Sequence, residues 1–173
     1  MPQERSFIPL SLAILTVSDT RTEDTDTSGR WLAEKAAAAG HSIASKRIVR
    51  DDIYRIRAVV AEWIADPGIQ VVLTTGGTGI TGRDGTPEAI SVLFEKVLDG
   101  FGEVFRALSY QEIGTSTLQS RALAGVANGT CVFCLPGSSG ACRLGWDSLI
   151  QPQLDYRTRP CNLVELMPRL LEK

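Results

Sequence analysis

The 173-residue chain contains no run of about 18 apolar residues, the length a helix needs to cross a bilayer, so no membrane-spanning helix is expected. It has no surplus of positive charge: 18 Lys and Arg stand against 20 Asp and Glu, for a net charge of −2. A duplex nucleic-acid binder needs a basic face, so nucleic acid is not an expected partner. His41 is the only histidine. Cys131 and Cys134 have CxxC spacing, but a zinc site would need two more ligands nearby. These two cysteines lie in an apolar run, residues 130–135, that reads as a strand, where positions three apart face opposite sides. They are therefore expected to be buried structural thiols, because free cysteine behaves as a small hydrophobe. No internal repeat and no low-complexity linker interrupts the chain. Residues 1–9 are polar and lack the apolar centre of a secretory leader, so a cytoplasmic protein is expected.

What is present fits one domain able to bury its own core. Residues 11–17 read as a strand, followed by a polar loop (18–26). A helix capped by Thr27 or Ser28 runs to Ala39, with Gly40 as its stop. Residues 42–49 form a second strand. Ile53, Ile56, Val59, Val60, Trp63 and Ile64 recur on one helical face, with Arg55 and Arg57 on the solvated side. Residues 69–73 form a short strand apolar throughout, as expected for one covered on both faces. Thr86 and Pro87 open a further helix, and residues 102–113 another, with an additional turn over 118–121. Asn128-Gly129 joins residues 122–127 and 130–135 as a hairpin, because both turn positions need positive φ. A glycine-rich loop (136–140) enters a last core helix that Pro152 kinks or ends. The polar tail (155–173) contains a short helix from Leu163. Strands alternating with helices predict an α/β fold, with a largely parallel sheet covered on both faces plus an antiparallel hairpin. Ligands bind such sheets beyond the carboxyl ends of the strands, here loops 18–26, 50–52, 76–85 and 136–140.

The most informative segment runs from Thr74 to Glu88. Five of its residues, Gly76, Gly77, Gly79, Gly82 and Gly85, fall within ten positions, so backbone amides can turn toward a ligand. With the helix start at Thr86 they would make an anion site, supplemented by the hydroxyls of Thr75, Thr78 and Thr81. Gly77-x-Gly79-x-x-Gly82, with Asp99 further on, matches the dinucleotide fingerprint literally. In that motif, however, the third glycine lies in the first helical turn, and here Arg83, Asp84 and Gly85 intervene. A hydride-transferring oxidoreductase is the weaker reading for that reason. The Walker A spacing also nearly fits, but Arg83-Asp84 stand where Lys and Ser or Thr are required. A carboxylate beside phosphate repels it unless a cation sits between them, so Asp84 is read as a magnesium ligand. Asp51-Asp52 follow the second strand and read equally well as the helix cap before Ile53 or as a second metal-binding acid.

Thr74-Thr75-Gly76-Gly77-Thr78-Gly79 followed by Arg83-Asp84-x-Thr86-Pro87-Glu88 resembles the signature of a molybdopterin-binding family. That family includes the MogA-type adenylyltransferases and the G domain of gephyrin-like proteins. Val17-Ser18-Asp19, Gly100-Phe101-Gly102-Glu103, Ser120-Arg121 and Leu135-Pro136-Gly137 match in the same order, and the resemblance covers residues 8–162, leaving 1–7 and 163–173 as extensions. Residues 114–121 and 157–162 point to the B branch of the family. Arg50 stands where proline is usual, and Gly85 where a larger residue is common.

The resemblance implies a three-layer α/β/α domain, a trimer or hexamer, and adenylation of molybdopterin by Mg²⁺-ATP with release of pyrophosphate. It places Asp51 and Asp84 at the two functional aspartates, for magnesium and catalytic alignment. It assigns Ser18, Asp19, Glu103, Ser120, Arg121, Pro136, Gly137 and Ser138 to the pterin or its phosphate. Thr75, Gly76, Gly77, Thr78, Gly79 and Thr86 would bind the ligand or nucleotide phosphates. Binding of molybdopterin or nucleotide without turnover is the alternative within the same pathway. The tail residues Tyr156, Leu163, Leu166 and Met167 are candidates to dock on a neighbouring subunit or to pack back on their own.

Overall fold

A computed structural model describes residues 5–173; residues 1–4 of the polar N-terminal segment lie outside the described residues. The elements in order are β1 (Ser11–Val17), α1 (Thr27–Ala38), β2 (Ser42–Val49), α2 (Ile53–Ala65), β3 (Val71–Thr75), α3 (Thr86–Ile90), β4 (Lys96–Val97), α4 (Asp99–Ile113), β5 (Leu123–Ala127), β6 (Thr130–Leu135), α5 (Ser139–Gly145), α6 (Gln151–Gln153) and α7 (Leu163–Leu166). The strands form one sheet in the order β2-β1-β3-β6-β5-β4. The first four are mutually parallel; β5 runs antiparallel to β6, and the edge strand β4 runs antiparallel to β5 and so in the direction of the first four. Asn128 and Gly129 both have positive φ, the backbone a two-residue hairpin turn requires.

The side-chain alternation of the strands divides the core in two. Leu12, Ile14, Leu73, Cys131 and Phe133 face α1, α4 and α5, and meet Leu32, Phe105 and Trp146. Ala13, Leu15, Val72, Val132 and Cys134 face α2 and α3, and meet Ile56, Val60, Trp63 and Ile90. The result is the three-layer α/β/α architecture. The cysteines of the CxxC pair sit on opposite faces, as strand geometry demands, and desolvation pushes both thiols up to about 12.

Several sequence expectations are corrected. The cap of α1 is Asp26, which accepts from the Gly29 amide at 3.0 Å; neither Thr27 nor Ser28 plays that part. β3 runs two residues later than the apolar run indicates, ending on the buried Thr74 and Thr75. Hydropathy does not mark it because those residues are polar. The sequence pattern does not mark the short edge strand β4, whose two residues are exposed. Before Pro152 the helix widens into a π turn, Trp146–Ile150, and it ends at Gln153. The tail packs back on its own chain: Val164 is buried, and Tyr156, Leu163 and Met167 lie against the α1 face of the core. These three therefore need no neighbouring subunit to cover them, while Leu166 stays exposed.

His41 is buried beside Phe7 and its Nδ1 accepts from the Leu10 amide at 3.1 Å. Burial lowers its pKa, partly opposed by the Asp155 carboxylate. The unfolded chain therefore binds a proton more readily than the folded one. The stability this neutral histidine supports is present above the unfolded value of about 6.5 and is lost as pH falls toward the lowered folded value. The urea midpoint should fall between pH 7.5 and pH 5.5, and less steeply in His41→Gln; equal slopes in the two proteins would contradict this.

Candidate functional site

The parallel run β2-β1-β3-β6 brings the carboxyl ends of four strands to one edge, and with them loops 18–26, 50–52, 76–85 and 136–140. Because β5 is antiparallel to β6, with Leu123 opposite Cys134, Ser120 and Arg121 arrive at that same edge. Sequence alone could not place them there.

Two glycines fix the path of the 76–85 loop. Gly76 has φ +104°, and a Cβ there would collide with the Val17 carbonyl oxygen. Gly77 has φ +68°, and a Cβ there would meet Thr86 Oγ1 and lie 2.8 Å from Asp51 Oδ2. Thr86 Oγ1 donates to the Gly76 carbonyl at 2.8 Å, and Thr86 N donates to the Gly77 carbonyl. The turn is closed by Asp84, whose Oδ2 accepts from Thr81 N at 2.9 Å and Thr81 Oγ1 at 2.7 Å. These bonds hold the Asp84 carboxyl below the usual carboxylate range. Thr75 Oγ1 donates to the Pro136 carbonyl at 3.1 Å. The hydroxyls of Thr75, Thr81 and Thr86 thus shape the loop from within. An anion at this loop would be held by the loop amides, since α3 is only five residues long and has little macrodipole to add.

Arg121 is also turned inward on this loop. Its Nε donates to the Gly79 carbonyl at 2.8 Å, its Nη2 to the Asp84 carbonyl at 3.0 Å, and the guanidinium pairs with Glu88. Its own amide donates to the Thr78 carbonyl. Four contacts from one residue clasp the glycine loop against α3. Arg57 is likewise engaged, donating to the Glu88 and Ala89 carbonyls, so it does not lie on a freely solvated face.

A cleft of about 480 Å³ opens above the loop. Gly76, Gly77, Thr78 and Gly79 form its floor, Pro136, Gly137 and Ser138 one wall, and Ser120 and Asp84 also face it. The Ser120 hydroxyl oxygen is buried with no hydrogen-bond partner, as is that of Thr74 inside the sheet, and of the two only Ser120 borders the cleft. Phe105, Ser109, Ile113, Ser116 and Gln119 complete the opposite wall. Sequence reasoning missed these five. Phe105 and Ser109 look like ordinary inward residues of an amphipathic helix, and only the docking of α4 shows that this face borders the cleft. Glu103 does not reach it and is exposed on α4. Ser18 lies apart, accepting from the Thr20 and Arg21 amides and lining a separate hollow of about 100 Å³.

The acids after β2 divide their work. Asp52 caps α2, its Oδ1 accepting from Tyr54 N and Arg55 N. Asp51 instead reaches across to the glycine loop, where its Oδ1 accepts from Gly85 N at 3.1 Å. Burial pushes the Asp51 carboxyl up, and the nearby Asp84 and Asp19 carboxylates add to the shift. Asp19 accepts from Asp51 N at 3.2 Å and pairs with Arg83, which leaves it engaged.

Residues 13–156 match the family model described as "Probable molybdopterin binding domain". The chain is 59% identical over 156 residues to molybdenum cofactor biosynthesis protein B of Escherichia coli (strain K12), covering 90% of this chain and 92% of the relative. Among solved structures, a molybdenum cofactor biosynthesis protein B superposes with a TM-score of 0.87 at 43% identity, covering 98% of this chain and all of that one. The tungsten cofactor synthesizing protein MoaB from Pyrococcus furiosus follows with a TM-score of 0.78 at 35% identity, over 95% and 98% of the two chains. With the family signature laid along the carboxyl edge and these likenesses spanning nearly the whole chain, the protein belongs to the molybdopterin-binding family of molybdenum cofactor biosynthesis, in its B branch.

Proposed function

We propose that the chain binds molybdopterin in the cleft above the glycine loop and adenylates its terminal phosphate with Mg²⁺-ATP, releasing pyrophosphate. The observation that carries the catalytic part is Asp51. It is a half-buried carboxylate that accepts a single hydrogen bond and lies near the Asp84 and Asp19 carboxylates, whose repulsion the Arg83 guanidinium only partly offsets, so a further cation among these acids would be favoured. Asp84, held below the usual carboxylate range chiefly by Thr81, lies on the glycine loop that Asp51 reaches across to meet. Two carboxylates beside a phosphate site suit magnesium, which takes one or two protein carboxylates and completes its shell with phosphate oxygens and water. When bound, the ion would neutralise charge between two anionic reactants. Asp51 and Asp84 would hold it.

The chain's own groups supply position. The amides of Gly76 to Gly79 would receive phosphate oxygens, and the unpartnered Ser120 hydroxyl would donate to the molybdopterin phosphate. Such a phosphoryl transfer is accelerated mainly by positioning and electrostatics. Incubating the pure protein with molybdopterin and Mg²⁺-ATP should yield adenylyl-molybdopterin and pyrophosphate in equal amounts. Saturable molybdopterin binding with no product would leave a binding protein. NAD binding with hydride transfer would remove both readings.

A further inference from the structure

A second cleft, of about 610 Å³, lies on the same carboxyl edge, at the end of β2. Arg50, Arg55 and Arg83 line it together with Asp19 and Asp51. The Arg83 and Asp19 charges are spent on each other, and Asp52 is spent on the α2 cap. The Arg50 and Arg55 guanidinium groups make no hydrogen bond or ion pair among the described residues. This leaves two uncommitted cations facing the same space as the Asp51 carboxylate. Arg55 is in addition misplaced for stability. It sits in the first turn of α2, where the helix presents its positive end and a cation is unfavourable. Arg50 and Arg55 are both exposed, so neither is held by core packing, and their guanidinium groups are free to meet an anion that enters the cleft.

Asp51, which lines this second cleft, separates it from the first: a Cβ built on Gly77, a floor residue of the first, would lie 2.8 Å from Asp51 Oδ2. In-line displacement at phosphorus places the attacking and leaving oxygens on opposite sides of the reacting atom. If the molybdopterin phosphate attacks from the glycine-loop cleft, the leaving group departs toward the far side of Asp51. We propose that the Arg50–Arg55 cleft is the subsite for the β- and γ-phosphates of the nucleotide and for the pyrophosphate they become. The proposal rests on the adenylation reading above. In the step, an oxygen of the molybdopterin phosphate forms a bond to the α-phosphorus as the bond from that phosphorus to the bridging α–β oxygen breaks. The electron pair leaves with pyrophosphate. Arg50 and Arg55 would take up its charge through the paired N–H groups that suit phosphate oxygens.

The test is calorimetric titration of the full chain with magnesium pyrophosphate, and separately with molybdopterin. Arg50→Ala/Arg55→Ala should weaken pyrophosphate binding by about tenfold or more, since each lost charge-assisted contact contributes at that level. Molybdopterin affinity should be unaltered. Arg55→Glu should raise the melting temperature slightly while weakening pyrophosphate binding, a pairing that a purely structural arginine would not show. Undiminished pyrophosphate binding in the double variant would overturn the subsite, as would a parallel loss of molybdopterin affinity or no pyrophosphate binding by the unaltered protein. If pyrophosphate binding follows the arginines but no adenylyl-molybdopterin forms, the subsite stands and the reaction reading fails.

Discussion

Asp51→Asn and Asp84→Asn are each expected to lower the rate of adenylyl-molybdopterin formation by about a hundredfold or more, the scale at which removing one group that stabilises developing charge acts. Molybdopterin affinity should stay close to that of the unaltered protein. Asparagine is the informative replacement. It can still accept from Gly85 N at position 51 and from Thr81 N at position 84, so the loop keeps its shape while the charge is lost. Alanine at position 84 would also release the Thr81 turn, mixing loop disorder with loss of charge. Steady-state turnover set beside equilibrium binding separates the possibilities: equal losses in both would mean that these acids build the pocket. The division of labour between the neighbouring aspartates makes a control available. Asp52→Ala should cost about 1 kcal/mol of stability as a lost helix cap, with little effect on turnover, the reverse of Asp51→Asn.

The second large effect is expected at Arg121. Arg121→Ala should weaken molybdopterin binding by about tenfold or more, since it removes charge-assisted contacts of roughly 1.5–3 kcal/mol that hold the loop in its binding shape. Arg121→Lys should recover only part of the loss, because an ammonium cannot span the Gly79 and Asp84 carbonyls and Glu88 at once. The geometry gives this effect an indirect cause: the arginine positions the loop. Glu88→Gln distinguishes that role from direct contact. If Arg121 clasps the loop, loosening its ion pair weakens molybdopterin binding and speeds hydrogen exchange of the amides of residues 76–85. If Arg121 reads the ligand phosphate itself, releasing it from Glu88 leaves affinity unchanged or raises it, with no change in exchange. Arg30, on α1 far along the chain from this loop and bound to the Glu23 and Asp24 carbonyls, serves as an arginine control in place of Arg57.

Much of the architecture was legible in the amino-acid sequence because local patterns there agree with the global fold. β1 and β2 begin and end where their patterning indicates, and the Asn128-Gly129 turn forms because its chemistry admits little else. The opposite faces of Cys131 and Cys134 follow from strand geometry alone. The glycine loop announces itself by composition, and the order of the motifs along the chain identifies the family. Where hydropathy is silent, prediction slips: β3 ends in two buried threonines, and β4 is two exposed residues on a sheet edge.

What only the tertiary structure decided is the partition of polar groups between holding the site and facing a ligand. A sequence shows that Asp51 and Asp52 are adjacent acids, but not that one turns down onto α2 and its neighbour across to Gly85. It shows threonines around glycines, but not that the hydroxyls of Thr75, Thr81 and Thr86 are consumed within the protein while those of Thr74, inside the sheet, and Ser120, at the cleft, keep no partner. It shows Ser120 beside Arg121, but the strand order alone brings them to the glycine loop, one toward the cleft and the other into the loop's own carbonyls. Hydropathy and turn chemistry are local properties and can be read from neighbours in the chain. Hydrogen-bond satisfaction is settled by atoms tens of residues apart, and only their arrangement in space determines which polar groups are left for a ligand.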